Sequence, residues 1–167
     1  MSSIVFSLSE IDRGINEVKA YADRVQQLAD TLCYRLAEIA QGRAEEGYSM
    51  YSERNTVTVT PPQRNEEGNG YKISASGYKD GEPTVLFEEF GSGAATGENN
   101  PKAAELGVLA DSYSITHAQL FHDFGYWWYG GQRIDRVYGT NAMYNASILA
   151  RADALPIARD LFNGGTG

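Results

Sequence analysis

The strongest constraint on this fold is a seven-residue apolar period running through residues 8 to 46. Ile11, Val18, Val25, Leu32 and Ile39 recur at that interval, and Ile15, Ala22, Ala29 and Leu36 each lie four residues after one of them. Such a pattern writes one apolar stripe on an α-helix whose other faces are polar. Ser7 and Glu10 have capping-box spacing, which sets the helix start near Leu8, and Gly42 or Gly47 is the expected stop. A helix of this length runs about 50 Å at 1.5 Å per residue, longer than a small domain needs. It is therefore expected either to break near Gly42 or to project one end toward a neighbour. Core packing is the expected job of the stripe. The alanines in the seam and Gly14 beside it weigh against a self-associating coiled coil.

Three short runs with β character follow: Asn55–Pro61, Tyr71–Ser76 and Thr84–Phe90. Pro61-Pro62, Glu66–Gly70 and Lys79–Gly81 read as the turns around them, so residues 55 to 90 predict an antiparallel meander. A helix laid on one face of that sheet makes an α+β fold, and 167 residues suit a single domain. From residue 91 to 120 the periodicity disappears, which predicts an extended loop. Residues 121 to 139 are aromatic-rich, with six aromatics among Phe121–Gly130, and Trp127, Trp128 and Tyr129 fit either a closing strand or a loop tip. A second helix is expected over residues 142 to 162, kinked or split at Pro156, before a frayed NGGTG tail.

Composition narrows the function. A net charge of −8 argues against a nucleic-acid ligand, because phosphate binding needs clustered Lys and Arg. The single cysteine, Cys33, forms no internal disulfide and sits in a helical pattern, as an inert, partly buried thiol does. The N-terminus lacks the basic residues and apolar run of a signal peptide, and no stretch approaches the ~20 apolar residues of a membrane span. The expectation is a soluble chain made in a reducing cytoplasm.

The residues that suggest chemistry do not assemble into a site. Glu88 and Glu89 are neighbours, and in the expected strand they point to opposite faces, which disfavours a general acid–base pair. His117 and His122 are five residues apart, wrong for two ligands on one helical face, and leave a metal site without partners. Ser92 lies in Gly91-Ser92-Gly93, which is not the G-x-S-x-G elbow. The glycine-rich GSGAATGENN runs into Pro-Lys rather than the Gly-Lys-Ser/Thr of a phosphate loop. The aromatic block has two leading readings, a plug over the sheet or an interface centre, with Arg133 and Arg136 favouring a protein contact. Carbohydrate stacking is a third.

Taken in order, the chain resembles the neck proteins of long-tailed bacteriophages, the small head–tail joining or tail-completion proteins. The residues that carry the resemblance are the long helix IDRGINEVKAYADRVQQLADTLCYRLAEIA, the strand pair NTVTVTP and YKISASG, and VLFEEFGSG, where the family has a strand close to V-E-F-G-T-G. GYWWYGG and the closing turn and helix YGTNAMYNASILARADALPIARDLF complete it, so residues 8 to 162 are covered. Ser92 stands where Thr is usual, and Ala142 where the family has a proline.

The resemblance implies a structural virion protein, not an enzyme, with no cofactor. It would be made in the bacterial host and placed in the virion neck. It would form a homo-oligomeric ring between head-completion or connector proteins and tail-terminator or tail-tube proteins, with genome DNA passing unbound through the channel and no membrane partner. The assembly contacts so implied are Glu88, Glu89, Phe90, Gly91, Gly93, Trp127, Trp128, Tyr129 and Arg133. Residues 89 to 93 would turn the sheet into the loop, and residues 94 to 107 would order only against a neighbouring ring. The alternative readings are a tail-terminator or minor tail subunit and, further off, a small hydrolase.

Overall fold

A computed structural model describes residues 7–49, 57–78, 84–92, 99–105, 127–129, 132–134 and 137–164. The architecture is α+β: a long N-terminal helix, short antiparallel strand pairs and a C-terminal helix.

Helix α1 spans Leu8–Ser49 without interruption, 42 residues and about 63 Å. Its start is the capping box read from the sequence. The Ser7 backbone N–H donates to the Glu10 carboxylate at 2.9 Å, and the Glu10 N–H donates back to Ser7 Oγ at 3.3 Å. Neither Gly42 nor Gly47 stops it, contrary to expectation. Gly42 meets nothing within 4 Å, whereas a Cβ on Gly47 would lie 2.8 Å from the Ala142 Cβ. Gly47 is therefore a site of close helix approach, not a terminator.

The apolar stripe is only partly core. At its N-terminal end Leu8, Ile11, Ile15, Val18 and Tyr21 are exposed; from Val25 onward the seam is half-buried, through Ala29, Leu32, Leu36 and Ile39. A seven-residue repeat slips about 20° per heptad on a straight helix. By the C-terminal third the buried positions have moved to Ala37 and Ala44, one residue round from heptad positions 36 and 43.

The partner that covers this half is the second long helix, Ala142–Asn163, named α3 because a short helix precedes it. It presents Ala142, Ala146 and Ala150 as its buried positions. Its first turn lies against Gly47, so it runs back along α1. Pro156 lies inside α3 without splitting it, forgoing its own backbone N–H bond and crowding the carbonyl four residues back. Ala44, Tyr48, Val59, Ala142 and Ala146 form the core cluster, flanked by Val57, Ile73, Ala75, Val85 and Met143. Alanine buries little area, so the helix–helix seam depends on close approach, and Tyr48 and Val59 supply the larger apolar burial.

Between the helices, residues 57 to 78 make one hairpin. Strand β1 (Thr58–Val59) pairs with β4 (Ala75–Ser76), and β2 (Gln63–Arg64) pairs with β3 (Tyr71–Lys72), all antiparallel. Three residues separate β1 from β2 and only two separate β3 from β4, so the register shifts by one at Pro61-Pro62. The prolines thus mark a bulge, where their missing N–H groups cost no ladder bond, and not the turn expected from the sequence. The true turn is at Asn65–Gly70, closed by the Asn65 N–H to the Gly70 carbonyl at 3.0 Å. The hairpin is pinned to α1 by Arg64, which pairs with Asp30 at 2.7 Å and 2.9 Å and stacks on Tyr71 with 4.6 Å to the ring centroid. Tyr71 in turn meets Tyr34 edge-on at 5.2 Å.

The third expected strand is the clearest correction. Thr84–Phe90 is a helix, α2. Its β-branched start and short apolar run suit either state, and tertiary contact decides between them. Only a helix end brings the last carbonyls of this segment and the Glu89 side chain together at the start of α3. Gly91–Ser92 (β5) then pairs with Val137–Tyr138 (β8). Trp127–Tyr129 (β6) and Gln132–Ile134 (β7) form a separate hairpin, with Trp128 opposite Arg133.

Candidate functional site

The most structured polar site among the described residues lies where α2 ends and α3 begins. The backbone builds it first. The last carbonyls of a helix and the first N–H groups of another are both left without intrahelical partners. Here they satisfy each other: the Thr140 N–H donates to the Glu88 carbonyl at 2.7 Å, and the Asn141 N–H to the Glu89 carbonyl at 3.2 Å. The arrangement sets the negative end of α2 against the positive end of α3.

The Glu89 side chain completes it. Its Oε2 accepts from the Met143 N–H at 2.9 Å and its Oε1 from the Tyr144 N–H at 3.1 Å. The Tyr48 hydroxyl donates to the same Oε2 at 3.0 Å. Thr140 Oγ1 accepts from the Ala142 N–H at 3.2 Å, so every N–H of the first turn of α3 is satisfied. Glu89, only 6% exposed, therefore caps the N-terminus of a distant helix, the Met143 N–H it accepts from lying 54 residues along the chain. Asn141, the residue in the cap position, does not cap. Its backbone is left-handed (φ 54, ψ 33), and its side-chain amide donates instead to the Asn99 carbonyl at 3.3 Å.

Tyr48 responds to this site. Burial first, and then the negative charge of Glu89, push its phenol well above the ordinary tyrosine range. The folded value lies above the unfolded one, so the contribution of Tyr48 is intact below about pH 10 and is lost as pH rises beyond it. The expected result is a fall in unfolding free energy of up to ~1.4 kcal/mol per pH unit above pH ~10 from this group. Urea unfolding at neutral and alkaline pH, compared with Tyr48→Phe, isolates it. An identical alkaline decline in the variant would show that Tyr48 is not the group responsible.

The sequence-derived site residues separate as follows. Glu88 is half-buried, while Glu89, Phe90 and Gly91 are buried at the junction. The expectation that Glu89 lies in a strand is thus corrected: it sits at a helix end with its carboxylate turned inward onto three donors. Gly91 has φ 81, a left-handed backbone suited to glycine. Gly93, His117, His122 and Arg136 lie outside the described residues. Trp127, Trp128, Tyr129 and Arg133 are placed by backbone alone, on the β6–β7 hairpin. Part of the expected assembly loop is ordered against its own chain: Asn100 and Ala103 are buried, and Asn99 Nδ2 donates to the Gly139 carbonyl at 3.0 Å.

Sequence reasoning missed Tyr48, and read Gly139 and Thr140 only as part of the turn before the last helix. Cys33 is a half-buried free thiol. Among the described residues no cluster of three His, Cys, Asp or Glu side chains is placed to hold a metal ion, and no helix is long and apolar enough to cross a membrane. No family model matches the chain, and neither a curated protein nor a solved structure does.

Proposed function

We propose that the chain is a structural subunit of a tailed-phage virion, a ring-forming neck protein that joins the head connector to the tail. One observation carries the reading. The Glu89-Phe90-Gly91 element, which with the closing helix bears most of the resemblance to neck proteins, is helical up to Phe90 where the resemblance implied a strand, and it is a structural junction: its carboxylate is committed to a helix N-terminus and a buried tyrosine. A motif used in this way serves architecture, as a virion subunit requires, and its buried glutamate is committed to three donors.

In such a ring each subunit would offer one surface to the next and a different one to the previous, the interface type that closes by rotation. The β6–β7 hairpin with Trp127, Trp128, Tyr129 and Arg133 is the proposed contact, aromatic and arginine residues being the usual centres of such interfaces. The net charge of −8 would let DNA pass the channel without adhering.

The test is genetic and visual. In a phage or prophage that encodes the chain, deletion is expected to leave DNA-filled heads and separate complete tails in lysates. Supplying the protein in trans restores joined particles. Joined, infectious particles formed without the protein would reject the reading, and loss of an enzymatic activity instead would support the hydrolase alternative.

A further inference from the structure

Among the described residues, no other element covers the apolar face on the N-terminal half of α1. Helix α3 covers the seam only as far as its length reaches. It starts opposite Gly47 and is 22 residues long, so residue-for-residue antiparallel packing brings its end to about residue 26 of α1. The exposure pattern agrees: Val18 and Tyr21 are 69% and 70% exposed, and Val25 is half-buried. Residues 8 to 25 therefore carry an exposed apolar continuation of an interface that is already in use, ending at the half-buried Val25.

Contrary to the expectation drawn from the seam alanines and Gly14, we propose that this segment pairs with the same segment of a second copy, antiparallel, about a two-fold axis between residues 16 and 17. Four features of the sequence and structure converge on that register. First, its core layers are Leu8 with Val25, Ile11 with Ala22, and Ile15 with Val18 of the partner, each repeated by the axis; every alanine then faces a larger residue.

Second, the residues flanking the seam on one side are Asp12 and Lys19, and the register sets Asp12 of each chain against Lys19 of the other. Third, the flanking residues on the opposite side are Gly14 and Tyr21, and these also face each other. Gly14 has nothing within 4 Å in the single chain, and Tyr21 stands exposed. The glycine that interrupts the helix surface becomes the recess that receives a tyrosine. Fourth, the partner helix begins opposite Val25, where α3 ends, so it extends the same seam. The outer face keeps its own Arg13–Glu17 ion pair, away from the contact.

A parallel pair lacks these complements. It sets Lys19 against Gly14, and Asp12 against Ser7. The contact is isologous, so the two-fold doubles each favourable pair and each engineered clash. The pairing goes beyond the neck reading and stands without it, since it uses only α1.

Sedimentation of the full chain across micromolar concentrations, with circular dichroism to confirm folding, tests it. The expected result is a concentration-dependent shift from 18.3 kDa to twice that mass. Val18→Asp, exposed in the single chain, is expected to abolish the shift without loss of helix. Asp12→Lys and Lys19→Asp are each expected to weaken pairing about tenfold, by converting two attractive pairs into repulsive ones. The double variant carrying both restores it. A monomer at every concentration, a dimer indifferent to Val18→Asp, or charge swaps that are neutral or fail to restore each other would overturn the proposal.

Discussion

Replacing Glu89 by alanine is expected to destabilise the protein by about 3 to 5 kcal/mol, more than most single substitutions do. The size follows from what the carboxylate holds. Two first-turn N–H groups of α3 lose their acceptor, at about 1 kcal/mol each for a lost cap. The buried Tyr48 hydroxyl loses its partner, and a buried unsatisfied polar group costs about 1 to 3 kcal/mol. The cavity left beside the core adds to this. Against these stands one gain, removal of a carboxylate from a site that is 6% exposed. That gain is small here, because three donors and a helix N-terminus already replace the water the anion gave up. Glu89→Gln is expected to fall between wild type and Glu89→Ala, since its amide keeps one acceptor oxygen but turns N–H groups toward a backbone donor. Urea unfolding followed by circular dichroism measures both. A Glu89→Ala protein within about 0.5 kcal/mol of wild type, the range of ordinary surface changes, would sink the assignment of Glu89 as the cap of α3.

That role explains which parts of the fold were legible in the sequence. Local signals carried well: Ser7 and Glu10 lie three residues apart, so the start of α1 could be read from spacing alone. The stripe from Ile11 to Ile39 likewise announced a helix, because its period is a property of neighbours along the chain. Residues 84 to 90 failed for the opposite reason. Their run of Thr, Val, Leu and Phe is compatible with strand or helix, and what fixes it as helix is a contact with residues 140 to 144. Asn141 gives no local guide either: asparagine before an apolar pattern commonly caps a helix, while the acceptor used here comes from Glu89. Pro61-Pro62 looked like a turn because proline removes a donor, and a bulge exploits the same loss. How far the apolar stripe of α1 is covered depends on the length of α3 and on where Gly47 lets it start, and neither is written in residues 8 to 46.

Gly139→Ala is expected to be at least as damaging as any change at Glu89, with little folded protein recovered, although it adds a single methyl group. A Cβ on Gly139 would sit 2.1 Å from the Glu89 carbonyl oxygen and 2.7 Å from both the Glu89 carbonyl carbon and the Gly91 nitrogen. All three are backbone atoms, so no side-chain rotation relieves the overlap. The oxygen concerned already accepts the Asn141 N–H, and the neighbouring residues hold the β5–β8 pairing at Gly91 and Tyr138. Making room therefore means separating α2 from α3 and opening that ladder together, which removes the cap contacts of Glu89 as well. We expect a loss above about 4 kcal/mol, the range reached only when a defined structural feature fails. Gly42→Ala is the matched control: Gly42 is inside α1 with nothing within 4 Å, so the same methyl group is expected to stabilise by about 0.5 to 1 kcal/mol through helix propensity. Urea midpoints for the pair, with soluble yield for Gly139→Ala, give the comparison. Opposite signs are the expected outcome. A Gly139→Ala protein as stable as wild type would mean that the strand pair beside Glu89 yields easily, and that the junction is held by the Glu89 carboxylate alone.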